Sequence, residues 1–180
     1  MVSLAAIDLS KPDSKIIEEM MHQFTTVGFA YVKNFSSEWD EQKHFEMIKA
    51  FHDMPDEVKH GLKMRHHNQA NSNRYRGLAP FMDNDPSHKE LFDMGWPNST
   101  LSQEAKKYPL VEDTPFSTDD KYKHLQEDYE RHYMLFHKLS LKLISYLAVG
   151  LGKPADFFDA WFEKDVLSTF RSIYYLPRAA

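Results

Sequence analysis

The chain has 180 residues, and its 42% hydrophobic and 14% aromatic content is enough to bury a sizeable core, which argues against intrinsic disorder. Its 22 basic and 27 acidic residues give a net charge of −5, and this mildly acidic balance argues against a nucleic-acid partner. The absence of cysteine excludes disulfides, thiolate metal ligands and cysteine nucleophiles.

The N-terminal residues lack the basic and apolar segments of a secretory signal. No uncharged apolar run approaches the ~18 residues that a membrane span needs. The best stretch, residues 139–151, is interrupted by Lys142. We therefore expect a cytoplasmic protein that does not enter a membrane.

The first half of the chain predicts short strands and amphipathic helices. A strand around Ile7 is followed by a helix that ends at Gly28, and residues 29–32 form a second β-prone run. A further helix is predicted to begin at Ser37, in a sequence that resembles a capping box. A short helix is then predicted between Pro55 and Gly61.

The second half contains the longest predicted element. Residues 62–88 are polar and rich in turn residues, which predicts a loop, and a strand follows at residues 90–95. Residues 98–118 are irregular, and helical spacing then predicts one helix over residues 118–149. A short helix at residues 154–162 precedes the last predicted strand, at residues 166–176.

The end of the chain leaves this last strand without a following partner. An unpaired edge strand favours association with another chain. We therefore expect a truncated sequence and possible self-association through the exposed edge of residues 166–176.

Several polar groups could carry chemistry, and each has a plainer structural interpretation. His88 and Glu90 form an H-x-E triplet that could supply two ligands of a facial-triad iron site, although structural roles are favoured. Asp128 and His132 stand four apart on the long helix, where a solvated polar pair is more common than a metal site.

The long loop contains further candidates for ligand contact. His66 and His67 could touch a ligand, although a solvated loop is favoured. Arg74 and Arg76 flank Tyr75, and two guanidiniums beside a phenol suit a carboxylate-bearing small molecule, with a polar turn as the alternative.

The last strand carries an arginine that would need a partner if it were buried. Arg171 and Tyr175 stand four apart and should therefore share one face of the strand. Either a bound anion or an internal Asp could pair with Arg171.

Six short segments, in this order, resemble the N-terminal half of the 2-oxoglutarate and Fe(II)-dependent dioxygenases of the isopenicillin N synthase-like group. The segment FHDMPDEVK is similar to the family's FF-x-LP-x-EEK, KELFDMG to KE-x-(F/Y)-(D/E)-x-G, and FRSIYYLP to LR-x-x-x-YP. The six segments are residues 7–9, 27–32, 51–59, 75–77, 89–95 and 170–177.

The resemblance implies an α+β fold in which a helical N-terminal region packs on the first strands of a double-stranded β-helix, or jelly roll. We expect residues 1–118 to form the non-haem dioxygenase N-terminal region. Residues 119–180 would supply the long central helix and the start of the jelly-roll core, within one structural unit that lacks the C-terminal catalytic half.

The resemblance also implies Fe(II) and 2-oxoglutarate as cofactors of the full-length family. The iron triad and the pair that grips 2-oxoglutarate come after the YP strand in this family. We therefore expect no catalytic or metal-ligating residue in this chain and no tight binding of either cofactor by it alone.

Four residues match positions of the family that lie near its small molecules. Tyr175 matches the YP tyrosine near 2-oxoglutarate, with Tyr174 as its equivalent if the register differs by one because Leu176 is inserted. Tyr75 and Arg171 match residues on the substrate side.

The leading hypothesis is thus the N-terminal part of a dioxygenase that oxidises a small organic molecule and is inactive as this chain alone. The alternative is a non-catalytic binding or regulatory protein that pairs its open edge strand with a partner. A helical metal protein built around His132 is a third possibility.

Overall fold

A computed structural model describes residues 5–97, 101–162 and 165–177. It contains helices and two small sheets, which confirms the predicted combination of α and β elements. In chain order the elements are β1 (Ile7–Asp8), α1 (Asp13–Thr26), β2 (Val32–Lys33), α2 (Glu41–His52), α3 (Asp56–His60), β3 (Gly77–Ala79), β4 (Lys89–Met94), α4 (His124–Gly150), α5 (Asp159–Phe162) and β5 (Phe170–Tyr175).

The elements divide between two compact units. One comprises the described residues of Met1–Asp40 and Met134–Lys164, and the other those of Glu41–Tyr133 and Asp165–Ala180. Helix α4 contributes residues to both units.

The first unit is built around α1 and the C-terminal part of α4. Strands β1 and β2 pair in parallel, with Ile7 opposite Val32. The core is apolar, and the hydroxyl of its member Tyr146 donates a hydrogen bond of 2.7 Å to the Asp13 carboxylate. Its buried members are Ile7, Leu9, Ile16, Met20 and Tyr146.

A short polar cluster holds the ends of β1 and β2 together. Asn34 and Ser10 donate hydrogen bonds to the Asp8 carboxylate, and these bonds lower the pKa of Asp8 to about 2. A carboxylate that accepts several hydrogen bonds in this way is stabilised in its charged form.

The second unit is an antiparallel sheet, in the order β3-β4-β5, with helices on one face. Phe51 of α2 packs on Phe92 of β4 with ring centroids 4.1 Å apart, and Tyr129 of α4 lies 5.5 Å from Phe92. All three rings are fully buried. Aromatic burial of this size dominates the stability of a small core.

Two predicted helix starts are wrong for local reasons. Helix α2 begins at Glu41 rather than Ser37, because the Ser36 hydroxyl accepts the Glu38 amide in a turn. Helix α4 begins at His124, because the Asp119 carboxylate accepts the Lys121 amide in another turn.

Residues 62–88, predicted to be mostly loop, contain the short strand β3. Two predicted strands are shorter than expected, since β2 starts only at Val32 and β5 only at Phe170. The third helix lies between Pro55 and Gly61 as predicted, and β4 occupies the expected segment. Within the described residues, no helix is both long and apolar enough to cross a bilayer.

Candidate functional site

A charged group lies buried beneath the β3-β4-β5 sheet. The Glu90 carboxylate is 3.1 Å and 3.3 Å from the Lys59 Nζ, and its Oε1 is 2.7 Å from the His52 Nδ1. The side chains of His52, Lys59 and Glu90 are 2%, 10% and 8% exposed. A buried charge of this kind persists only when it is paired and hydrogen-bonded.

The network continues through two hydroxyl groups. The His52 Nε2 lies 3.2 Å from the Ser172 Oγ, which is 2.9 Å from the Tyr129 hydroxyl. Every group is satisfied when Tyr129 donates to Ser172, Ser172 donates to His52, and the His52 Nδ1–H donates to Glu90. Burial raises the pKa of Tyr129, which keeps its hydroxyl protonated as a donor.

The ionised form of Glu90 is favoured by its partners. Burial alone would raise the pKa of Glu90, but hydrogen bonds from His52 and Lys59 and the charge of Lys59 outweigh it. The net result is a pKa below the ordinary value of 4.5. Glu90 therefore acts as the counter-ion of Lys59 and as the acceptor that orients the His52 ring.

The H-x-E triplet does not present its two side chains together. His88 precedes β4 with a φ of 50°, so the alternation of a strand does not extend to it. Its Nδ1–H donates to the Leu176 carbonyl at 3.0 Å, whereas Glu90 is held by His52 and Lys59.

The described residues do not fit a facial-triad iron site. Across residues 5–97, 101–162 and 165–177, no three His, Asp or Glu side chains gather as a set of metal ligands. On α4, the Asp128 carboxylate binds Arg131 at 3.0 Å, and His132 donates instead to the Asp128 backbone carbonyl.

Arg171 pairs with an internal Asp, one of the two partners that the sequence left open. Its Nε and an Nη lie 2.6 Å and 2.8 Å from the two oxygens of Asp93, directly opposite on β4. The hydrogen bonds that it donates to Asp93 raise the pKa of Arg171. A two-point contact of this kind holds the guanidinium plane in one orientation.

The two tyrosines of β5 lie on opposite faces of the sheet. Tyr175 shares a face with Arg171, as the four-residue spacing predicted, and is 63% exposed. Tyr174 shares the helix-covered face with Ser172, and its ring centroid is 5.7 Å from that of His52. Of the two tyrosines, only Tyr175 therefore lies on the same face of the sheet as Arg171.

The three adjacent loop candidates, Arg74, Tyr75 and Arg76, differ in how exposed they are to solvent. Tyr75 is 44% exposed, and its amide donates to the Glu112 carboxylate at 2.8 Å. Arg76 is buried and donates from an Nη to the Thr169 hydroxyl. Arg74 is exposed, so the predicted pair of guanidiniums beside Tyr75 does not form one surface.

The sequence analysis singled out Glu90 but missed the other polar members of the buried network. His52, Lys59, Glu90 and Ser172 come from three of the quoted segments, and Tyr129 comes from the long helix. A signal was present, because the segments place charged residues among apolar ones. Their pairing depends on contacts 31 to 120 residues apart along the chain.

The comparison with protein families supports the resemblance that the six sequence segments indicated. The profile described as "non-haem dioxygenase in morphine synthesis N-terminal" matches residues 2–115. The chain belongs to this non-haem dioxygenase family. The resemblance inferred from the six segments is therefore confirmed.

Relatives of this non-haem dioxygenase chain bear names of the same kind. It is 27% identical over 167 residues to the 2-oxoglutarate-dependent dioxygenase frbJ of Dothideomycetidae sp. (strain 11243), covering 90% of this chain and 43% of the relative. It is also 27% identical over 167 residues to isopenicillin N synthase of Streptomyces clavuligerus, covering 89% and 49%. The chain thus spans about half the length of these relatives.

A solved structure shares the fold of the non-haem dioxygenase chain. A full-length Neurospora crassa protein, crystallised in complex with alpha-KG and thymine, matches it with a TM-score of 0.70 at 21% identity. The match covers 94% of this chain and 54% of the other. At this identity the likeness concerns the fold.

Proposed function

We propose that the chain is the N-terminal part of a non-haem Fe(II), 2-oxoglutarate-dependent dioxygenase that oxidises a small organic molecule. The observation that carries the proposal is the network in which three family segments meet at Glu90, His52 and Ser172. The name of the frbJ relative and the alpha-KG and thymine bound to the Neurospora crassa protein support the choice of cosubstrate and of a small-molecule substrate.

The iron ligands belong, in this proposal, outside the described residues. Enzymes of this class couple the conversion of 2-oxoglutarate to succinate with oxidation of a C–H bond by dioxygen. The side chains of residues 5–97, 101–162 and 165–177 do not fit the metal. The role that this proposal gives to them is to bind and orient the small molecules. We expect neither Fe(II) nor 2-oxoglutarate to bind tightly to the chain alone.

The arrangement of the sheet supports particular roles for four residues. Tyr175 is assigned to the 2-oxoglutarate side, because it matches the YP tyrosine of the family and is 63% exposed. Tyr174, the other candidate, supports that strand from the helix-covered face beside His52. Arg171 and the exposed Tyr75 contribute to the substrate side.

The same proposal extends to the domain plan. Residues 1–118 form the family's N-terminal region, and residues 119–180 supply the long helix and the start of a jelly roll whose first strands are β3, β4 and β5. We place the protein in the cytoplasm, which localisation of a tagged copy would check.

The decisive experiment compares the pure chain with the native polypeptide. The 180-residue chain, supplied with Fe(II), ascorbate and 2-oxoglutarate, is expected to form no succinate. The native polypeptide, captured from cell extract with an antibody to this chain, is expected to contain iron and to form succinate. Its intact mass identifies how much chain accompanies these residues.

Each result has a separate consequence. Succinate from the pure chain would disprove the placement of the iron ligands elsewhere. A native polypeptide that holds no iron and converts no 2-oxoglutarate would disprove the dioxygenase assignment.

The tyrosine roles are tested in that native polypeptide. Tyr175→Phe is expected to raise the KM for 2-oxoglutarate about three- to tenfold, the effect of one lost hydrogen bond. Tyr174→Phe is the matched control and should leave this KM unchanged. The reverse ranking would assign the cosubstrate role to Tyr174.

A second candidate function is a non-catalytic protein that binds a partner through β5. Among the described residues, β5 pairs only with β4, and Ile173 and Tyr175 are 38% and 63% exposed along it. Self-association through this edge predicts a concentration-dependent dimer in light scattering that Ile173→Lys abolishes. A monomer at every concentration would count against it.

A further inference from the structure

The segment of residues 63–76 concentrates positive charge in a chain of net charge −5. It contains no acidic residue. Its basic and imidazole side chains are Lys63, Arg65, His66, His67, Arg74 and Arg76. A local field of one sign attracts ligands of the opposite sign.

Four side chains of this segment line a cavity of about 550 Å³ that is open to solvent: Arg65, His66, Gln69 and Arg74. Cavities of roughly 300–1,000 Å³ are typical of small-molecule sites. In the part of the chain that the structure describes, neither Arg65 nor Arg74 forms an ion pair. Both guanidiniums therefore retain their donors for a ligand.

The backbone around the cavity is held in place by asparagine side chains. Asn71 and Asn73 both donate to the Lys63 carbonyl, at 2.7 Å and 3.3 Å. The Arg65 amide donates to the Asn73 carbonyl at 2.7 Å. These bonds tie the Arg65 limb of the loop to the Arg74 limb, so binding would cost little ordering of the backbone.

The acidic group next to Arg74 is already used by the backbone. The Glu112 carboxylate accepts the Arg74 amide at 2.9 Å and 2.8 Å, and the Tyr75 amide at 2.8 Å. This contact fixes the position of Arg74 without neutralising its guanidinium. Two guanidiniums around one cavity repel each other, and an anion between them relieves that repulsion.

We propose that this cavity binds the oxyanion of a small molecule, a carboxylate or a phosphate, between Arg65 and Arg74. Planar guanidiniums match both groups with paired N–H donors. His66 and Gln69 also line the cavity and supply further donors. We identify this ligand with the substrate that is oxidised, and this identification rests on the proposed function. The binding itself requires neither iron nor 2-oxoglutarate.

The test measures thermal unfolding of the 180-residue protein with benzoate or inorganic phosphate, at constant ionic strength set with chloride. The Arg65→Gln/Arg74→Gln variant is compared with Lys15→Gln/Lys138→Gln, which removes the same charge at exposed positions elsewhere. Ligand should raise the Tm of the wild type and of the lysine variant. The arginine variant should bind more than about tenfold more weakly.

The two ligands separate the chemical sources. A response to benzoate alone indicates a carboxylate ligand, a response to phosphate alone a phosphate ester, and a response to both a general oxyanion site. Chemical shifts of the Arg65 and Arg74 Nε–Hε groups should move on titration of the wild type, which does not depend on how a variant folds.

Equal responses of all three proteins, or no response, would overturn the proposal. So would shift changes that avoid Arg65 and Arg74. Either failure leaves the dioxygenase assignment intact, because no turnover is measured. Conversely, anion binding without succinate formation by the native polypeptide would disprove only the assigned reaction.

Discussion

At the scale of single residues, the Glu90 carboxylate has the most consequential surroundings. It neutralises Lys59 in an environment where both side chains are at most 10% exposed. Breaking a buried pair by removing one partner is much more costly than removing both, because the remaining charge has no compensation. The pair therefore predicts strong coupling between its two members.

We expect Glu90→Gln to lower the free energy of unfolding by about 3–5 kcal/mol, because it leaves Lys59 buried and unpaired. Lys59→Met/Glu90→Gln should be less unstable than the sum of the single variants, as measured by urea denaturation at neutral pH. Glu104→Gln/Lys107→Gln, an exposed ion pair, serves as the control and should show no coupling. Additive effects at Glu90 and Lys59 would disprove the pairing.

The lowered pKa of Glu90 also predicts how stability depends on pH. The unfolded chain binds a proton near the ordinary pKa of 4.5, whereas the folded chain binds it only at lower pH. The stabilisation is therefore complete above that value and is lost as the pH falls through the folded pKa. Asp8, with a pKa of about 2, acts in the same direction.

The free energy of unfolding, measured by denaturation at each pH, should therefore decrease as the pH is lowered from about 5 to about 3. The slope of the free energy of unfolding against pH should be shallower in Lys59→Met/Glu90→Gln. Part of the slope should remain, because Asp8 still titrates in that variant. An unchanged slope in that variant would show that Glu90 titrates equally in both states.

At the scale of elements, the start of β3 depends on one glycine. Gly77 has a φ of 115°, and a Cβ there would lie 2.5 Å from the Leu62 carbonyl oxygen and 2.7 Å from the Asn73 Nδ2. Backbone cannot move aside as a flexible side chain can. Gly28 has a φ of 90°, but a Cβ there would meet nothing within 4 Å.

Gly77→Ala should therefore cost more than about 3 kcal/mol, from strain and collision together. Gly28→Ala should cost only about 1–2 kcal/mol, from the strain of a positive φ. Chemical denaturation of the two variants gives the comparison directly. Equal losses would mean that the loop before β3 can move away from the new methyl group.

At the scale of the whole molecule, stability comes from two separate apolar cores. One contains Ile16 and Tyr146, and the other contains the rings of Phe51, Phe92 and Tyr129, which contact one another in tilted and edge-to-face arrangements. Helix α4 supplies Tyr146 to the first core and Tyr129 to the second. Phe51, Phe92, Tyr129 and Tyr146 are each at most 5% exposed, so these aromatic rings are removed from water.

Phe51→Ala should lower the free energy of unfolding by about 3–5 kcal/mol, because it opens a cavity in the second core. Phe45→Ala, on the same helix but 60% exposed, should change it by about 0.5 kcal/mol or less. Urea denaturation of both variants tests this. Similar effects would show that the core does not depend on the Phe51 ring.

The sequence predicted elements whose signals are local. The periodicity of α1 and of the body of α4, the Pro55 and Gly61 boundaries of α3, and the alternation of β4 act over a few neighbours. The starts of α2 and α4 were wrong, because single hydrogen bonds to Ser36 and Asp119 held the preceding residues in turns. Strand β3 was missed because three residues carry little pattern.

By itself the sequence determined the family, the combination of α and β elements, and the shared face of Arg171 and Tyr175, because each depends on order or spacing along the chain. Only the tertiary structure decided that Asp93 pairs with Arg171 and that Glu90 binds His52 and Lys59. It alone placed Arg65, rather than Arg76, beside Arg74. These pairings join residues that are far apart in the chain. Because burying an unpaired charge costs free energy, each buried charge needs a partner that the fold brings close to it in space.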